Sequence, residues 1–172
     1  DQVTDLTALN EEELKLLRLT PAAYLGSCRF KLPEDLTDAV YSAVFDNLRE
    51  MNIGYFLYVG GNDSMDTVDK LSRFAARTGS DVRFIGIPKT IDNDLWGTDM
   101  TFGFQSAVDI ATNAIDCIHT TASSHGRVFI VEIMGHKVGW LTLHAGIAGG
   151  ADIILLPEIP YDLDAVVKKI KE

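Results

Sequence analysis

Apolar positions recur at helical spacing over residues 34–51, where Leu36, Val40, Ala43, Val44, Leu48 and Met51 share one face. Pro33 and Glu34 suit the first turn of that helix. A compact apolar run at 53–59 predicts a strand, and a helix over 63–77 follows, with Met65, Val68, Leu71 and Ala75 inward and Gly79 as its stop. Residues 82–87 form a second apolar run, which Pro88 should close, since proline cannot donate to a ladder. The spacing of Ala107, Ile110, Ala111, Ala114, Ile115 and Ile118 predicts a helix over 101–120, with Thr98 and Thr101 as candidate caps. Beyond it come a third strand at 128–133, a short helix of small and apolar residues at 138–148, a fourth strand at 153–156 and an edge helix at 163–170. Ahead of all this, residues 1–20 are acidic and leucine-spaced, a pattern for a peripheral helix that Pro21 interrupts. Apolar runs alternating with helices, on connections long enough for right-handed crossovers, predict an α/β fold: a three-layer, Rossmann-like open parallel sheet.

Composition narrows the function classes. The formal net charge of −10 over 172 residues, with no dense Lys/Arg patch, argues against a nucleic-acid partner. No apolar stretch approaches the roughly 20 residues of a membrane span. Cys28 and Cys117 lie in unrelated contexts, which suggests neither a disulfide framework nor a zinc cluster and fits a reducing compartment. With no signal-peptide pattern at the N-terminus, a cytoplasmic location is expected.

The polar residues that follow the strands change the picture. Gly60-Gly61-Asn62-Asp63-Ser64 joins a strand to a helix. Paired glycines let the backbone approach a ligand, and a helix start can hold a phosphate. The stretch is neither a Walker pattern nor a dinucleotide fingerprint, and an ordinary strand-to-helix turn would look the same. Lys89-Thr90-Ile91-Asp92-Asn93-Asp94 and Met134-Gly135-His136-Lys137 follow the next two predicted strands. If the strands are parallel, all three loops lie on one sheet edge, around one crevice. Glycine-rich backbone, carboxylates and cations in one crevice are the parts of phosphoryl transfer. In an extended segment Asp92 and Asp94 would point the same way, toward one substrate. Glu132, inside the third predicted strand, needs a partner if buried. His119 and His125 flank a Thr/Ser-rich turn without zinc spacing, and loop solvation accounts for them.

Pro88-Lys89-Thr90-Ile91-Asp92-Asn93-Asp94 resembles the signature of the phosphofructokinase family. Supporting matches occur in order: Leu25-Gly26-Ser27-Cys28-Arg29, Gly60 to Ser64, Arg127, Glu132 to Gly135, and Gly149-Gly150-Ala151 to Pro157-Glu158. The resemblance implies a partial phosphofructokinase fold and a glycolytic transferase acting on fructose 6-phosphate with Mg2+. It places Asp92 as general base on the 1-hydroxyl, Thr90 and Asp94 at the substrate, and Asn62 and Asp94 at the metal. Arg29 would reach the phosphoryl donor, with Gly61, Asn62, Asp63 and Ser64 lining the donor site. Arg127 would hold the sugar 6-phosphate across a subunit boundary, implying a homo-oligomer. Met134, Gly135 and His136 match the segment lining the sugar.

Members that use ATP commonly carry glycine at positions 63 and 89, whereas this chain has Asp63 and Lys89, as pyrophosphate-dependent members do. A lysine supplies a point cation for a free phosphate, and a carboxylate would repel an α-phosphate. The resemblance therefore implies pyrophosphate as donor, with ATP as the alternative. Asn62 stands where many members have a metal-associated aspartate, and His136 replaces the usual arginine of the Met-Gly-Arg motif. Those two departures keep a non-catalytic sugar-phosphate sensor open as a second reading; a purely structural α/β module is a third. The family's N-terminal donor loop and second domain have no counterpart here. Residues 1–172 are therefore expected to be a single α/β fragment, catalytic only within a larger parent, with an exposed edge or apolar face favouring self-association.

Overall fold

The computed structural model describes residues 3–172. They divide into two compact units, residues 1–31 and 32–172.

In the first unit, a short 3-10 helix, Leu6–Ala8, is capped by the Asp5 carboxylate, which accepts from the Thr7 N–H. Helix α1, Glu11–Leu19, opens on a capping box: Asn10 Oδ1 accepts from the Glu13 N–H and Glu13 Oε2 accepts from the Asn10 N–H. None of its residues is buried, so the leucine pattern makes a helix without giving it a core.

The second unit carries the parallel sheet. Strand β1, Tyr55–Gly60, pairs in parallel with β2, Arg83–Thr90, and β2 pairs in parallel with the two-residue β3, Phe102–Gly103. Helix α3, Asn62–Thr78, crosses over from β1 to β2 and packs on both. Gly79 ends it in the left-handed region, φ 70°, where glycine carries no Cβ penalty. Helix α2, Ala39–Glu50, starts at Asp38, whose side chain accepts from the Val40 N–H, and not in the 33–34 turn. Its Tyr41 and Phe45 pack with Leu71, Phe74 and Ala75 of α3. Ring centroids lie 5.3 Å apart for Tyr41–Phe74, 4.8 Å for Phe45–Phe74 and 5.5 Å for Phe45–Phe84, spacings at which aromatic pairs attract beyond simple area burial.

Beside this apolar core sits one buried cation. The Lys70 ammonium, 4% exposed, meets Glu34 at 2.6 Å, Asp66 at 2.7 Å and the Leu32 carbonyl at 3.3 Å. The Asp66 and Glu34 hydrogen bonds raise its pKa well above the usual lysine range. Burial likewise raises the Tyr41 phenol.

Three sequence expectations fail here. β2 runs through Pro88 to Thr90. Pro88 is opposite Gly60, and the β3 ladder begins only at Lys89, so the proline sits where one flank of β2 is still unpaired. Residues 128–133 and 153–156, expected as the third and fourth strands, form no ladder among the described residues. Their side chains instead line an apolar cleft of about 800 Å³ with α4, Phe104–His125, α5, Trp140–Ala148, and α6, Leu163–Lys171. An apolar run marks a β-capable segment, but a strand also needs a neighbour at ladder distance, which periodicity does not carry. Finally, α4 starts at Phe104 behind Gly103, so neither Thr98 nor Thr101 caps it. Among the described residues no helix is long and apolar enough to cross a membrane.

Candidate active site at the ends of β1 and β2

The β1–β2 register sets the Gly60 turn beside the end of β2, because Gly60 is the partner of Pro88. A Cβ on Gly60 would sit 2.0 Å from Ser64 Oγ and 2.6 Å from Ser64 Cβ, so beside Ser64 the bend into α3 has no room for a side chain at position 60. Gly61 caps α3 without a side-chain hydrogen bond. Its Cα faces β2: a Cβ there would lie 3.7 Å from the Lys89 carbonyl and 3.8 Å from Thr90 Cβ. The glycine turn and the Lys89–Thr90 backbone are therefore neighbours.

Past Thr90 the chain is not extended. Asn93 takes a left-handed conformation, φ 53°, one that Asn tolerates better than most residues. Its side chain fixes the turn: Asn93 Oδ1 accepts from the Thr101 N–H at 2.8 Å, and Asn93 Nδ2 donates to the Asp99 carbonyl at 3.3 Å. The Thr101 hydroxyl, 3% exposed, donates to the Thr90 carbonyl at 2.7 Å. The Asp92 N–H donates to Thr90 Oγ1 at 3.2 Å.

This turn breaks the strand alternation that would have pointed Asp92 and Asp94 the same way. Asp92 Oδ2 meets the His136 main-chain N–H at 3.4 Å, whereas Asp94 Oδ2 accepts from Asn62 Nδ2 at 2.7 Å. Each carboxylate thus ties the loop to a different element: Asp92 to the 134–137 segment, Asp94 to the start of α3. Both keep a second oxygen, Oδ1, that is buried and has no hydrogen-bond partner. Buried carboxylate oxygens without partners are costly, and they mark places where a ligand proton or a cation completes the site.

Those two oxygens are the test for a divalent cation. Magnesium is usually held by one or two carboxylates together with substrate phosphates, not by an all-protein cage. Asp94 and the Asn62 amide oxygen fit that donor set, and no group of three or more His, Cys, Asp or Glu among the described residues offers a cage.

The other candidate residues are distributed as follows. Thr90 and Ser64 are half-buried at the site, and Asn62 and Asp63 are exposed on the first turn of α3. Lys89 is exposed and opposite Phe102 of β3. Gly135 packs tightly, since a Cβ there would lie 2.3 Å from the Val138 carbonyl, while Met134 and His136 are exposed. Arg127 follows α4 and lines the apolar cleft with 128–133, away from the hydrogen bonds that surround Asp92. Arg29 belongs to the first unit and is exposed. Glu132 is exposed, so its carboxylate needs no protein partner.

Sequence reasoning missed the residues that shape the loop. Asn93 and Thr101 appeared as a neighbour and a cap candidate, yet they fix the backbone between the two aspartates. An Asn flanked by Asp residues after a strand is a signal for a left-handed turn, and it could have been read. Glu158 appeared only as the end of a family match, without a role: its carboxylate accepts from the Gly139 N–H at 2.7 Å and secures the start of α5.

Comparison with known proteins identifies the family. The family model described as phosphofructokinase matches residues 2–172. ATP-dependent 6-phosphofructokinase 3 of Bacteroides thetaiotaomicron is 44% identical over 172 residues, covering 98% of this chain and 49% of the relative. ATP-dependent 6-phosphofructokinase of Spirochaeta thermophila is 52% identical over 129 residues, covering 75% of this chain and 34% of the relative. Among solved structures, pyrophosphate-dependent phosphofructokinase from Marinobacter aquaeolei superposes with a TM-score of 0.84 at 34% identity, covering 96% of this chain and 43% of that one. The pyrophosphate-dependent enzyme of Nitrosospira multiformis gives 0.85 at 31% identity, covering 97% and 43%. The chain spans half or less of the length of each.

Proposed function

The chain belongs to the phosphofructokinase family, and from that premise we propose that the complete protein carrying it transfers a phosphoryl group from pyrophosphate to the 1-hydroxyl of fructose 6-phosphate. The observation that carries the reaction is Asp92: a carboxylate at the end of β2, oriented by a main-chain N–H on Oδ2, with a buried Oδ1 that has no partner. A base must lie within hydrogen-bond reach of the proton it takes, and a free, oriented oxygen supplies that. In this reading Asp92 Oδ1 accepts the hydroxyl proton as the oxygen attacks phosphorus, and the leaving phosphate departs on the side of the Gly60–Ser64 turn. Thr90 holds the Asp92 main chain in place through its Oγ1. Asp94 and Asn62 would hold Mg2+, which when bound offsets charge on the phosphates.

Two residues support pyrophosphate over ATP. Lys89 adds a cation to the segment whose backbone neighbours the glycine turn, and Asp63 adds a carboxylate in the first turn of α3, where a nucleotide's α-phosphate would meet like charge. The printed names of the curated relatives favour the other donor, so ATP is the second reading.

The test is a donor comparison on the complete protein, following fructose 1,6-bisphosphate formation with pyrophosphate or ATP at equal Mg2+. Turnover with pyrophosphate at least tenfold above ATP is expected. Turnover with ATP alone would overturn the donor, and an active D92A variant would overturn the base.

A further inference from the structure

Asn62 and Asp94 form a mixed pair of side chains 32 positions apart in sequence, joined at 2.7 Å. A carboxylate has only acceptor oxygens, so the amide nitrogen must face Asp94. The Asn62 amide oxygen is left without a protein partner, and Asp94 Oδ1 stays buried and unpaired. A carboxylate at position 62 would instead set two acceptors at that short distance. Like charges so close need a cation or a proton between them.

We propose that Asn62 is a positioning residue that lets Asp94 keep its orientation without a resident cation. The amide thereby takes the place a second carboxylate would have beside Asp94, and it lowers the affinity of the pair for a free divalent cation. This proposal rests on the phosphoryl-transfer reading for its meaning, but its test needs no turnover. The Asn62→Asp variant removes the N–H donor and adds a charge; the Asn62→Leu variant removes the N–H donor and the amide oxygen together and adds no charge.

Mn2+ is the probe, followed by proton relaxation for binding and by thermal unfolding for stability. In wild-type protein Mn2+ alone is expected to bind weakly and to move Tm little. N62D is expected to bind Mn2+ at least tenfold more tightly, and to show a lowered metal-free Tm that Mn2+ restores. N62L is expected to lose Tm as well, with no recovery on adding Mn2+. Equal Mn2+ affinity in wild type and N62D, or recovery of both variants alike, overturns the proposal. Should N62D stay unfolded even with Mn2+, the exchange N62D/D94N decides: it rebuilds the amide–carboxylate bond in reverse and is expected to recover the fold. Its failure to do so also overturns the proposal. Absence of any sugar phosphorylation would refute the functional reading and leave these Mn2+ results unaffected.

Discussion

Thr101 and Asn93 hold the 90–94 loop from behind: the Thr101 N–H donates to Asn93 Oδ1 at 2.8 Å, and the Thr101 hydroxyl donates to the Thr90 carbonyl at 2.7 Å. Neither residue offers its own side chain to the sugar in the proposed reaction. Together they bring the chain through a left-handed turn, so that Asp92 and Asp94 reach different elements. Thr101→Val keeps the shape and removes the hydroxyl. It leaves the Thr90 carbonyl without that donor at a site 3% exposed, and a loss of about 1–2 kcal/mol in urea unfolding is expected. Turnover should fall with it, whereas Asn93→Gly, which keeps the turn conformation and loses the acceptor, should fold and be milder than Asn93→Val.

The Gly60 turn makes a second prediction. Gly60→Ala forces a Cβ to within 2.0 Å of Ser64 Oγ and 2.6 Å of Ser64 Cβ. Overpacking of this kind costs about 1–3 kcal/mol. Gly60→Ala/Ser64→Ala should recover little, because the Ser64 Cβ position is still filled, and Gly60→Ala/Ser64→Gly should recover more. The order of the three Tm values is the measurement.

A third prediction concerns alkaline pH. The folded-state pKa of Lys70 is raised by its bonds to Asp66 and Glu34. The unfolded lysine titrates near the ordinary value, about 10.4. The stabilisation is therefore fully present below about pH 10.4 and is lost as pH rises through the higher folded value. Tyr41, raised by burial, weakens the fold in the same direction. In a Tyr41→Phe background, the Tm difference between Lys70 and Lys70→Met should stay level from about pH 7 to 10 and shrink above that. A difference that does not change with pH would dissociate Lys70 ionisation from stability.

These residues show what the sequence made legible. The β1–α3–β2 unit is written as two compact apolar runs flanking a period near 3.6, and the motifs after its strands lie side by side in the fold. The alternation of apolar runs with helices also carried the class of fold. What periodicity could not carry was pairing: residues 128–133 are as apolar as β1, yet Ile130 is 95% exposed and no ladder forms. Nor could it carry a backbone reversal. One Asn in a left-handed conformation redirects Asp94 from the Asp92 side toward α3, and a two-residue spacing read as extended strand points the other way.

The replacement at His136 yields the last prediction. An arginine is usual at that place by resemblance, so the ring invites attention. In this fold Asp92 meets the main-chain N–H of residue 136, and the ring itself is exposed. What sets that N–H is the backbone around Gly135, which passes so close to the Val138 carbonyl that a Cβ would lie 2.3 Å away. Gly135→Ala must push the segment outward, taking the N–H away from Asp92, and it should lower kcat about tenfold or more, ~1.4 kcal/mol of barrier. His136→Ala leaves the main chain alone. It should keep kcat within about threefold and show itself, if the ring touches the sugar, in KM. If His136→Ala lost as much kcat as Gly135→Ala, the imidazole and not the main chain would be the partner that matters to Asp92.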